Sequence, residues 1–304
     1  MIQFLLHSKI DYARWDACIR NSFNGNIYAY SWYLDIVCPN WNALVEDDYV
    51  SVMPLTGRRK LGINYLYQPA FTQQLGVFSV SQHSPQKVEE FLSAIPNSYK
   101  FIEINLNKYN SLDSRNFNVK AQLTHELDLI ATYPSLRIHY TVNTLRNITK
   151  AVKQKLQVDY KVDPALIIKL FRKNKGKEIK HLKGKEYRQI QQLINHSIAV
   201  GCGASWGVFT AKGELCAGAF FVQSHTKVIF LFSATNSTAK KNGAMPFLID
   251  HFIKENSQRN LTFDFEGSND KNLARFYKSF GSKECEYLHL KINRLPFPLK
   301  LLKK

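Results

Sequence analysis

The sequence has no long apolar run, because no segment approaches the roughly 18 consecutive apolar residues that a membrane-spanning helix needs. Its opening, MIQFLLHSKID, has only a short apolar stretch before an aspartate. That pattern is typical neither of a secretory signal nor of a membrane span. We therefore expect a cytoplasmic protein without a transmembrane segment.

Cysteine is also scarce, and its spacing argues against two kinds of site. The cysteines are odd in number and form no C-x-x-C pair; they are Cys18, Cys38, Cys202, Cys216 and Cys285. A disulfide framework and a zinc site are therefore not expected, and reduced, mostly buried thiols are. The sequence implies no metal cofactor.

Acidic residues are few relative to basic ones. The 304 residues include 41 Lys or Arg against 24 Asp or Glu, which gives a formal net charge of +17. Such an excess predicts an anionic partner, which could be nucleic acid, a phosphorylated cofactor or the anionic surface of a membrane, unless it serves only solubility. No zinc-finger, RNP-type or helix-turn-helix pattern is present, so sequence-specific reading of nucleic acid is not expected.

The positive charge is concentrated in one part of the chain. Residues 145–190 hold fourteen basic and four acidic residues, which is more than half of the whole excess in about a seventh of the chain. Within this part, Arg172–Lys185 is either a solvated loop with adjoining helix ends or a face that contacts phosphates. The sequence leaves both interpretations open.

The order of the predicted elements indicates two α/β halves. The chain is 45% hydrophobic and 13% aromatic, which is enough for a substantial core. The first half reads as a strand, helices, several strands, a helix and two strands, and the second as helices, a three-strand antiparallel meander, then helix, strand, helix and strand. We predict an N-terminal domain over residues 1–135 and a C-terminal domain over residues 136–304, each a mixed, mostly antiparallel twisted sheet flanked by helices.

One stretch of the second half combines a predicted strand with ionisable groups. Leu261–Phe265 alternates as a strand, a polar turn follows, and Lys271–Phe280 has the periodicity of an amphipathic helix. The strand and its turn carry Asp264 and Glu266, and the helix carries Tyr277. Ionisable groups at the carboxyl end of a strand are in the usual position for an α/β site, although a purely structural strand, turn and helix would give the same pattern.

A second unusual stretch, residues 64–80, is aromatic and extended yet contains three amides. Gln68, Gln73 and Gln74 lie around a proline and a glycine. Amides among aromatic residues can line a groove that binds a peptide or a sugar. They can equally satisfy the backbone of an irregular strand, and the sequence does not decide between the two.

Four segments together resemble one family, although each match is short. They are Asn143–Lys153, Phe232–Thr235 continued by Asn242-Gly243-Ala244, Asn260–Ser282, and the aromatic Tyr28–Leu34. The third is similar to the family pattern "D-F-x-G … L-x-x-F-K-x-x-F-G", and the first to its basic helix at the start of the second fold. On these residues the chain resembles the Fem-type (FemAB-like) aminoacyl and acyl transferases, which look like two N-acetyltransferase (GNAT) folds in tandem.

The resemblance implies transfer of an acyl group to an amine without a covalent enzyme intermediate. The donor would be acetyl-CoA or another acyl-CoA, as in general N-acetyltransferases, or aminoacyl-tRNA, as in the cell-wall members. The acceptor would be an amine-bearing small molecule, a peptide or a cell-wall precursor. This chemistry needs an acceptor for the amine proton, donors for the oxyanion and an acid for the leaving group. It needs no protein nucleophile, so the lack of a Ser/His/Asp or Cys/His arrangement is no objection.

The resemblance gives catalytic roles to Tyr277 and Glu266. Ala274, Tyr277 and Gly281 are similar to the "A-x-x-x-Y-x-x-x-G" helix of N-acetyltransferases, one residue short, whereas the Fem pattern has lysine at the tyrosine position. A phenol with a pKa near 10 could protonate a departing thiolate, which favours acyl-CoA. Glu266 is the candidate acceptor of the amine proton, and Asp264 is expected to make structural hydrogen bonds or to contact substrate.

The resemblance also implies two sets of binding residues. The cofactor-binding candidates lie in or just before the loop after the meander, and they are Ser233, Thr235, Lys240, Lys241, Asn242, Gly243 and Ala244. This loop departs from the family's pyrophosphate pattern "Q/R-x-x-G-x-G/A", because lysine stands at its first position and methionine at its last. The substrate-binding candidates are Trp32, Gln68, Gln74, Arg146, Lys150, Asp264, Phe276 and Lys278.

Three interpretations of function emerge from these residues. The leading one is an acyl-CoA-dependent acyltransferase whose active site lies in the second domain while the first binds the acceptor. The second is aminoacyl-tRNA-dependent transfer to a cell-wall precursor, which the charge favours but which lacks the family lysine at position 277. The third is a non-catalytic module of the same fold that binds RNA or another polyanion, including an anionic surface.

Overall fold

The computed structural model describes residues 1–113, 116–179, 182–267 and 269–300, without the side chain of Lys240. Lys180 of the predicted basic run and Ser268 of the predicted turn therefore lie outside the described residues. Within the described residues the chain forms two compact units. The first comprises residues 1–123 and the described residues from Cys285 onward, and the second comprises Thr124–Glu284.

The α-helices of the described ranges are numbered in chain order. They are α1 (Tyr12–Asn21), α2 (Ser31–Val37), α3 (Pro85–Ser93), α4 (Tyr133–Arg137), α5 (Val142–Lys153), α6 (Pro164–Lys173), α7 (Gly184–Ala199), α8 (Ser237–Asn242), α9 (Ala244–Asn256) and α10 (Lys271–Lys278). Short 3-10 helices occur at His7–Lys9, Ile27–Ala29 and Lys175–Lys177. None of the described helices is long and apolar enough to cross a membrane.

The strands of the same ranges are numbered in the same way. They are β1 (Ile2–Leu5), β2 (Asn42–Glu46), β3 (Ser51–Leu55), β4 (Gly57–Lys60), β5 (Ile63–Tyr67), β6 (Phe78–Ser79), β7 (Tyr99–Asn105), β8 (Val119–Asp128), β9 (Gln157–Asp159), β10 (Gly203–Phe209), β11 (Leu215–Ser224), β12 (Lys227–Thr235), β13 (Thr262–Asp264) and β14 (Lys283–Asn293).

The first unit contains two groups of strands. One is an antiparallel sheet in the order β1-β2-β3-β6, and the other follows the order β4-β5-β7-β14, in which only β5 and β7 are parallel. Buried apolar side chains of α3, β7 and β14 form its core, among them Phe91, Ile102 and Leu290. The basic segment Arg58–Lys60 is part of strand β4 at the end of that order.

The second unit is built on strands in the order β8-β13-β12-β11-β10-β9, in which only β12 and β13 are parallel. Helices α5, α9 and α10 pack on one face over a largely aromatic core, where Phe252 of α9 stacks on Phe221 at 3.9 Å between ring centroids. Helix α6 packs on the other face, where Phe171 meets Phe232 at 4.8 Å. The predicted fold class, two mixed and mostly antiparallel α/β units, is confirmed.

Local chemistry explains where two of the helices begin. Ser84 accepts a hydrogen bond from the N–H of Lys87 ahead of Pro85, and Asp270 accepts from the N–H groups of Asn272 and Leu273. Such caps satisfy the N–H groups that a helix start leaves without intrahelical partners. Between residues 237 and 256 the chain forms two helices, α8 and α9, because Gly243 adopts a left-handed conformation (φ 78°) between them.

The last strand groups with the first unit. β14 pairs antiparallel with β7, with Ile292 opposite Ile102, and the described residues from Cys285 onward belong to the same unit as β7. The strand was expected in the C-terminal domain on element order alone. Element order predicts that a strand exists, whereas its partner depends on contacts between residues nearly 200 positions apart.

Candidate active site at a fork between two strands

The two parallel strands of the second unit separate partway along their length. β12 and β13 are paired from Lys227–Thr262 to Ile229–Asp264, where β13 ends, while β12 continues to Thr235. We call the point just beyond the Ile229–Asp264 pair the fork. Among the described residues no strand pairs with β12 on this side past the fork. The carboxyl end of β13 and its predicted site residues therefore lie at an opening in the sheet.

Asp264 closes the base of the fork and is almost fully enclosed. It is 2% exposed, and its carboxylate accepts hydrogen bonds from Thr124 Oγ1 at 2.6 Å, Lys227 Nζ at 3.1 Å and the Glu266 N–H at 3.0 Å. Lys227 also pairs with Glu126. The carboxylate is thus held by three groups of the protein, as a structural role requires, and contact with substrate stays a prediction.

Glu266 stands at the mouth of the fork, two residues beyond Asp264. Its backbone is left-handed, with φ 55°, and its N–H is bound to Asp264. The residue is partly exposed, yet burial of the carboxyl raises its pKa to about 8. A carboxylate with a pKa near neutrality is suited to accept and release protons at physiological pH.

Tyr277 of α10 lies over the fork. Its ring stacks on Phe265 at 5.0 Å and meets Phe230 edge-on at 6.5 Å between ring centroids. Phe230 and Phe265 are the first residues of the two strand segments beyond the last paired position. Tyr277 is 7% exposed. Burial first, and then the carboxylates of Glu266, Asp264 and Asp270, raise its pKa well above the ordinary value, so the phenol stays protonated.

The neighbours of Tyr277 on α10 are directed elsewhere. Phe276 packs perpendicular to Phe280, with ring centroids 5.4 Å apart, and is only partly buried. Lys278 is half exposed and pairs with Glu284 at 2.6 Å. Their substrate contacts stay predictions. Lys278 is paired with Glu284, and Tyr277 rather than Lys278 occupies the position over the fork.

The predicted cofactor loop has few backbone donors to offer. Ser233 and Thr235 are partly buried residues at the end of β12, and Lys241 is exposed on α8. Asn242 is 3% exposed, and its Oδ1 accepts the N–H of Ala244 at 3.1 Å. The third residue of α9 is a proline, without an N–H, so only the second, a methionine, offers an amide at this helix start.

Gly243, at the centre of this loop, is pressed against another helix. A Cβ placed on it would lie 2.2 Å from the carbonyl oxygen of Asn147 in α5. The helix start is therefore a joint between α5 and α9. A pyrophosphate at a helix start needs several converging N–H groups and room to approach them. The described residues from Lys241 to Ala244 do not fit the pyrophosphate of CoA.

Helix α5 carries a basic face. Arg146, Lys150 and Lys153 are exposed at a spacing that places them on one side of the helix, while Ile148 and Ala151 on the other side are buried. The helix contains no acidic residue. The predicted anion-binding pair Arg146 and Lys150 is thus presented to solvent, beside the joint with α8 and α9.

A second basic surface lies close to the site. The described lysines and arginines of the run 172–185 are exposed, and they are Arg172, Lys173, Lys175, Lys177, Lys183 and Lys185. Lys175 pairs with Glu178 at 2.6 Å. Glu178 raises the pKa of Lys175, and Asp270, the cap of α10, adds to that shift, so the run passes near the start of the helix that carries Tyr277.

No protein-family model matches the chain, and no curated protein matches it. Solved structures match it over almost its whole length. FemX aligns with a TM-score of 0.69 at 14% identity over 99% of both chains. L-PGS from Bacillus licheniformis aligns with a TM-score of 0.54 at 11% identity over 96% of this chain and 94% of that one. The C-terminal domain of a putative lysylphosphatidylglycerol synthetase from Agrobacterium fabrum aligns at 0.57 and 9%, over 96% and 93%.

The chain shares the fold of FemX. The identities are too low to carry more than the fold, and at that level the resemblance to the Fem-type tandem architecture is confirmed.

In the first unit of this FemX-like fold, the predicted glutamines bind the protein's own chain. Gln68 Nε2 donates to the carbonyl of Thr72 at 2.9 Å, and its Oε1 accepts the N–H of Asn105 at 2.8 Å. Gln74 is 5% exposed, and its Oε1 accepts the N–H of Lys108 at 3.0 Å. Of the two interpretations, the geometry matches satisfaction of the backbone. Trp32 is partly buried beside Tyr33, and its contact with an acceptor stays a prediction.

Two polar residues beside the fork were not anticipated. Lys227 neutralises Asp264 and Glu126, and His125 lies fully buried on β8. Neither belongs to a motif, and a single histidine or lysine in an apolar strand gives no signal before the strands are paired. Within the described residues no cluster of three or more His, Cys, Asp or Glu side chains is arranged to hold a metal ion.

Proposed function

We propose that this protein transfers an aminoacyl group from an ester donor carried by RNA to an amine, and that the transfer takes place at the fork of the second unit. The observation that carries the proposal is the contrast at this site. The fork holds an acid and a base with raised pKa values, whereas the adjacent loop does not fit the pyrophosphate of CoA.

Glu266 acts as the base. An amine must lose a proton to complete its attack on a carbonyl, and a carboxylate with a pKa of about 8 can take that proton near neutral pH. The C–N bond forms as the amine nitrogen attacks the ester carbonyl, and one N–H proton passes to Glu266. The position of Glu266 at the mouth of the opening supports this role.

Tyr277 acts as the acid, and its raised pKa favours an ester over a thioester. A thiolate has a conjugate acid with a pKa of about 8.5, so a phenol above its ordinary 10 would give up its proton to sulfur only uphill. An alkoxide is far more basic than a thiolate, because its conjugate acid, an alcohol, is a much weaker acid than a thiol. The C–O bond of the ester therefore breaks as the Tyr277 proton passes to the leaving oxygen.

The two basic surfaces support a polyanionic donor. The face of α5 and the run 172–185 together expose nine described lysines and arginines. One of them, Lys175, interacts electrostatically with Asp270, the cap of α10, which raises its pKa. Phosphates spaced along RNA are neutralised by cations distributed in this way. The FemX-like fold and the resemblance to the Fem-type transferases, whose cell-wall members use aminoacyl-tRNA, point in the same direction.

The acceptor is the less constrained partner. An amine-bearing small molecule, a peptide or a cell-wall precursor is compatible with the fork, and an amine on a lipid headgroup is a further class, since one similar structure is L-PGS and another belongs to a putative lysylphosphatidylglycerol synthetase.

The experiment compares two donors. Purified protein receives bulk tRNA charged with radiolabelled amino acids, or labelled acetyl-CoA, together with a panel of amines, and binding of each donor is measured at about 50 and 200 mM salt. We expect label to move from tRNA to an amine, tRNA binding to weaken steeply with salt, and acetyl-CoA not to bind. Micromolar binding of acetyl-CoA with acetyl transfer would restore the acyl-CoA interpretation. Salt-dependent RNA binding without any transfer would favour the non-catalytic module.

A charge reversal locates the RNA contact. Lys173→Glu combined with Lys177→Glu removes two exposed cations of the run, which should lower the slope of log affinity against log salt by roughly 1.5. The matched control is Arg59→Glu with Lys60→Glu on strand β4 of the first unit, which is equally exposed and should leave the slope unchanged. Equal losses for the two pairs would mean that the net charge acts without a defined contact.

A further inference from the structure

His125 occupies an unusual place beside the fork. It lies on β8 next to β13, and its carbonyl accepts the N–H of Phe265 at 2.9 Å. Its side chain is 0% exposed and points to the same face of the sheet as Leu127, toward the aromatic core. The imidazole therefore enters the core at the level where β12 and β13 separate.

Neither nitrogen of this ring has a hydrogen-bond partner among the described residues. Both Nδ1 and Nε2 of His125 are buried and unpaired there. Buried polar atoms are almost always paired, and an exception in a native structure calls for an explanation. The neighbouring inward position on the same strand is a leucine, so the core at this point accepts an apolar side chain and does not require an imidazole.

The groups that face His125 come from three other elements. Tyr277 of α10 has its ring centroid 6.3 Å from that of His125, and Glu284 at the start of β14 brings Oε1 to 3.9 Å from Nε2. Lys278 of α10 and Asp264 of β13 act at longer range. Burial lowers the pKa of His125, Glu284 opposes that shift and Lys278 adds to it, so the ring is neutral at physiological pH.

We propose that His125 is a positioning residue that links Tyr277 to Glu284 and returns a proton to the phenolate after each transfer. This inference rests on the role proposed above for Tyr277. Once Tyr277 has given its proton to the leaving oxygen, a phenolate remains in an apolar setting. His125 gives the phenolate the proton of one ring nitrogen and takes up at the other nitrogen a solvent proton, which the Glu284 carboxylate, 44% exposed, relays from bulk water. The ring stays neutral and changes tautomer.

The route uses groups that face one another in the structure. Glu284 is held by Lys278 at 2.6 Å, and Lys278 lies next to Tyr277 in sequence, so the helix that carries the acid also orients the carboxylate behind the histidine. The neutral imidazole can carry a donor on one nitrogen and an acceptor on the other. A leucine in place of His125 would leave Tyr277 without a titratable neighbour on strand β8.

The first test needs no substrate. Histidine-labelled protein is titrated by NMR, with the His125 signal assigned from His125→Gln, in wild type and in Tyr277→Phe, Glu284→Gln and the control Tyr140→Phe. Tyr140 is another buried tyrosine of the same unit, packed on Phe280. We expect Tyr277→Phe and Glu284→Gln each to shift the His125 titration or its tautomer, and Tyr140→Phe to leave both unchanged. A His125 signal unaffected by both replacements would overturn the proposal.

The second test uses the transfer reaction. Glu284→Gln, a change at a partly exposed position, and His125→Gln should each lower kcat by roughly 10-fold with little change in KM, and should change the pH profile of kcat. A loss confined to stability, with kcat and its pH profile retained in folded variants, would overturn the role of His125. If wild type transfers no aminoacyl group, the proposed function fails, while the NMR result still decides whether His125 and Tyr277 are coupled.

Discussion

Each unit contains one pair of parallel neighbouring strands among those described, and the two units differ in the chain immediately beyond that pair. In the first unit β5 and β7 are paired up to Tyr67–Glu103. Past this position the side chain of Gln68 accepts the N–H of Asn105 at 2.8 Å, and Leu75 donates its N–H to the Asn105 carbonyl at 2.9 Å. The chain between residues 68 and 76 thus closes the position that is open in the second unit.

In the second unit the corresponding position holds ionisable groups. Beyond Ile229–Asp264 the two chains separate, Tyr277 covers the gap between Phe230 and Phe265, and Glu266 stands beside it. Helix α10 follows β13 here, whereas no described α-helix lies between β7 and β8 in the first unit. The same arrangement of strands therefore has two outcomes. In the first unit it gives a closed joint, where side-chain amides satisfy the backbone. In the second unit it gives a candidate site, where a carboxyl and a phenol are shielded from solvent. The closed joint is the internal control for the fork.

The largest effect should come from Lys227→Met. Removing this lysine takes away a cation that pairs with both Asp264, 3% exposed at its side chain, and Glu126, 9% exposed. Breaking a buried ion pair in this way costs about 3–5 kcal/mol. The matched change in the first unit is Lys87→Met, whose partners Glu46 and Glu90 are 14% and 59% exposed, and which should cost no more than about 1 kcal/mol. Urea unfolding monitored by fluorescence measures both losses in free energy of unfolding. Similar losses would mean that the charges at the fork depend no more on their lysine than the more exposed pair of the first unit does.

Next in size is the effect of Tyr277→Phe on turnover. Loss of the leaving-group acid should reduce kcat for aminoacyl transfer by about 100-fold or more, while the ring packing on Phe265, and therefore the fold, is preserved. Tyr67→Phe at the end of the parallel pair in the first unit is the control, and it should leave kcat within about twofold. Circular dichroism and thermal melting check that both variants fold. Equal turnover for wild type and Tyr277→Phe would remove the phenol from the mechanism.

Glu266→Gln should change how stability depends on pH. The folded-state pKa of about 8 lies above the ordinary value of 4.5, so the folded protein binds the proton more tightly than the unfolded chain. Stability from this group is fully present below about pH 4.5 and is lost as the pH rises to about 8. The full shift would correspond to at most about 5 kcal/mol, and partial exposure reduces it to about 2.

The measurement is the difference in Tm between Glu266→Gln and wild type across that range. The variant should match wild type near pH 4 and be the more stable of the two above pH 8, because glutamine has no charge to bury. Transfer by wild type should rise with pH through about 8 as the base loses its proton, and Glu266→Gln should lose that rise. Parallel stability curves would show that the carboxyl is not desolvated in solution.

Sequence reasoning reached those features that local residues determine. The polar turn ahead of α10 supplies its cap, Asp270, as the sequence pattern predicts, and Asp264, Glu266 and Tyr277 do meet around one strand end. The two mixed α/β units also follow from element order. Each of these features can be read from a short stretch of sequence, such as a cap next to its helix or the alternation of apolar and polar residues along one strand.

The remaining features depend on contacts between distant residues. The fit of Asn147 against Gly243, which leaves no room beside that glycine, joins positions almost 100 residues apart. His125 gains its meaning only from Tyr277 and Glu284, and Gln68 only from Asn105. The loop at residues 240–245 and the aromatic stretch at residues 64–80 each allowed two interpretations, because the sequence does not show which backbone groups their side chains will meet.

The smallest effect, and the one that tests the closed joint, is expected for Gln68→Ala. Its amide serves two backbone groups, the carbonyl of Thr72 and the N–H of Asn105, and loss of both bonds should lower the free energy of unfolding by about 1–2 kcal/mol. Gln86→Ala, at an exposed position of α3, should change it by less than about 0.5 kcal/mol. If Gln68 instead bound the acceptor, Gln68→Ala would raise the KM for the amine and leave the unfolding curve in place. The unfolding free energy and the KM therefore decide whether Gln68 closes the joint of the first unit or binds a substrate. The hydrogen bond from the Asn105 N–H to Gln68 makes the loss of stability the expected result.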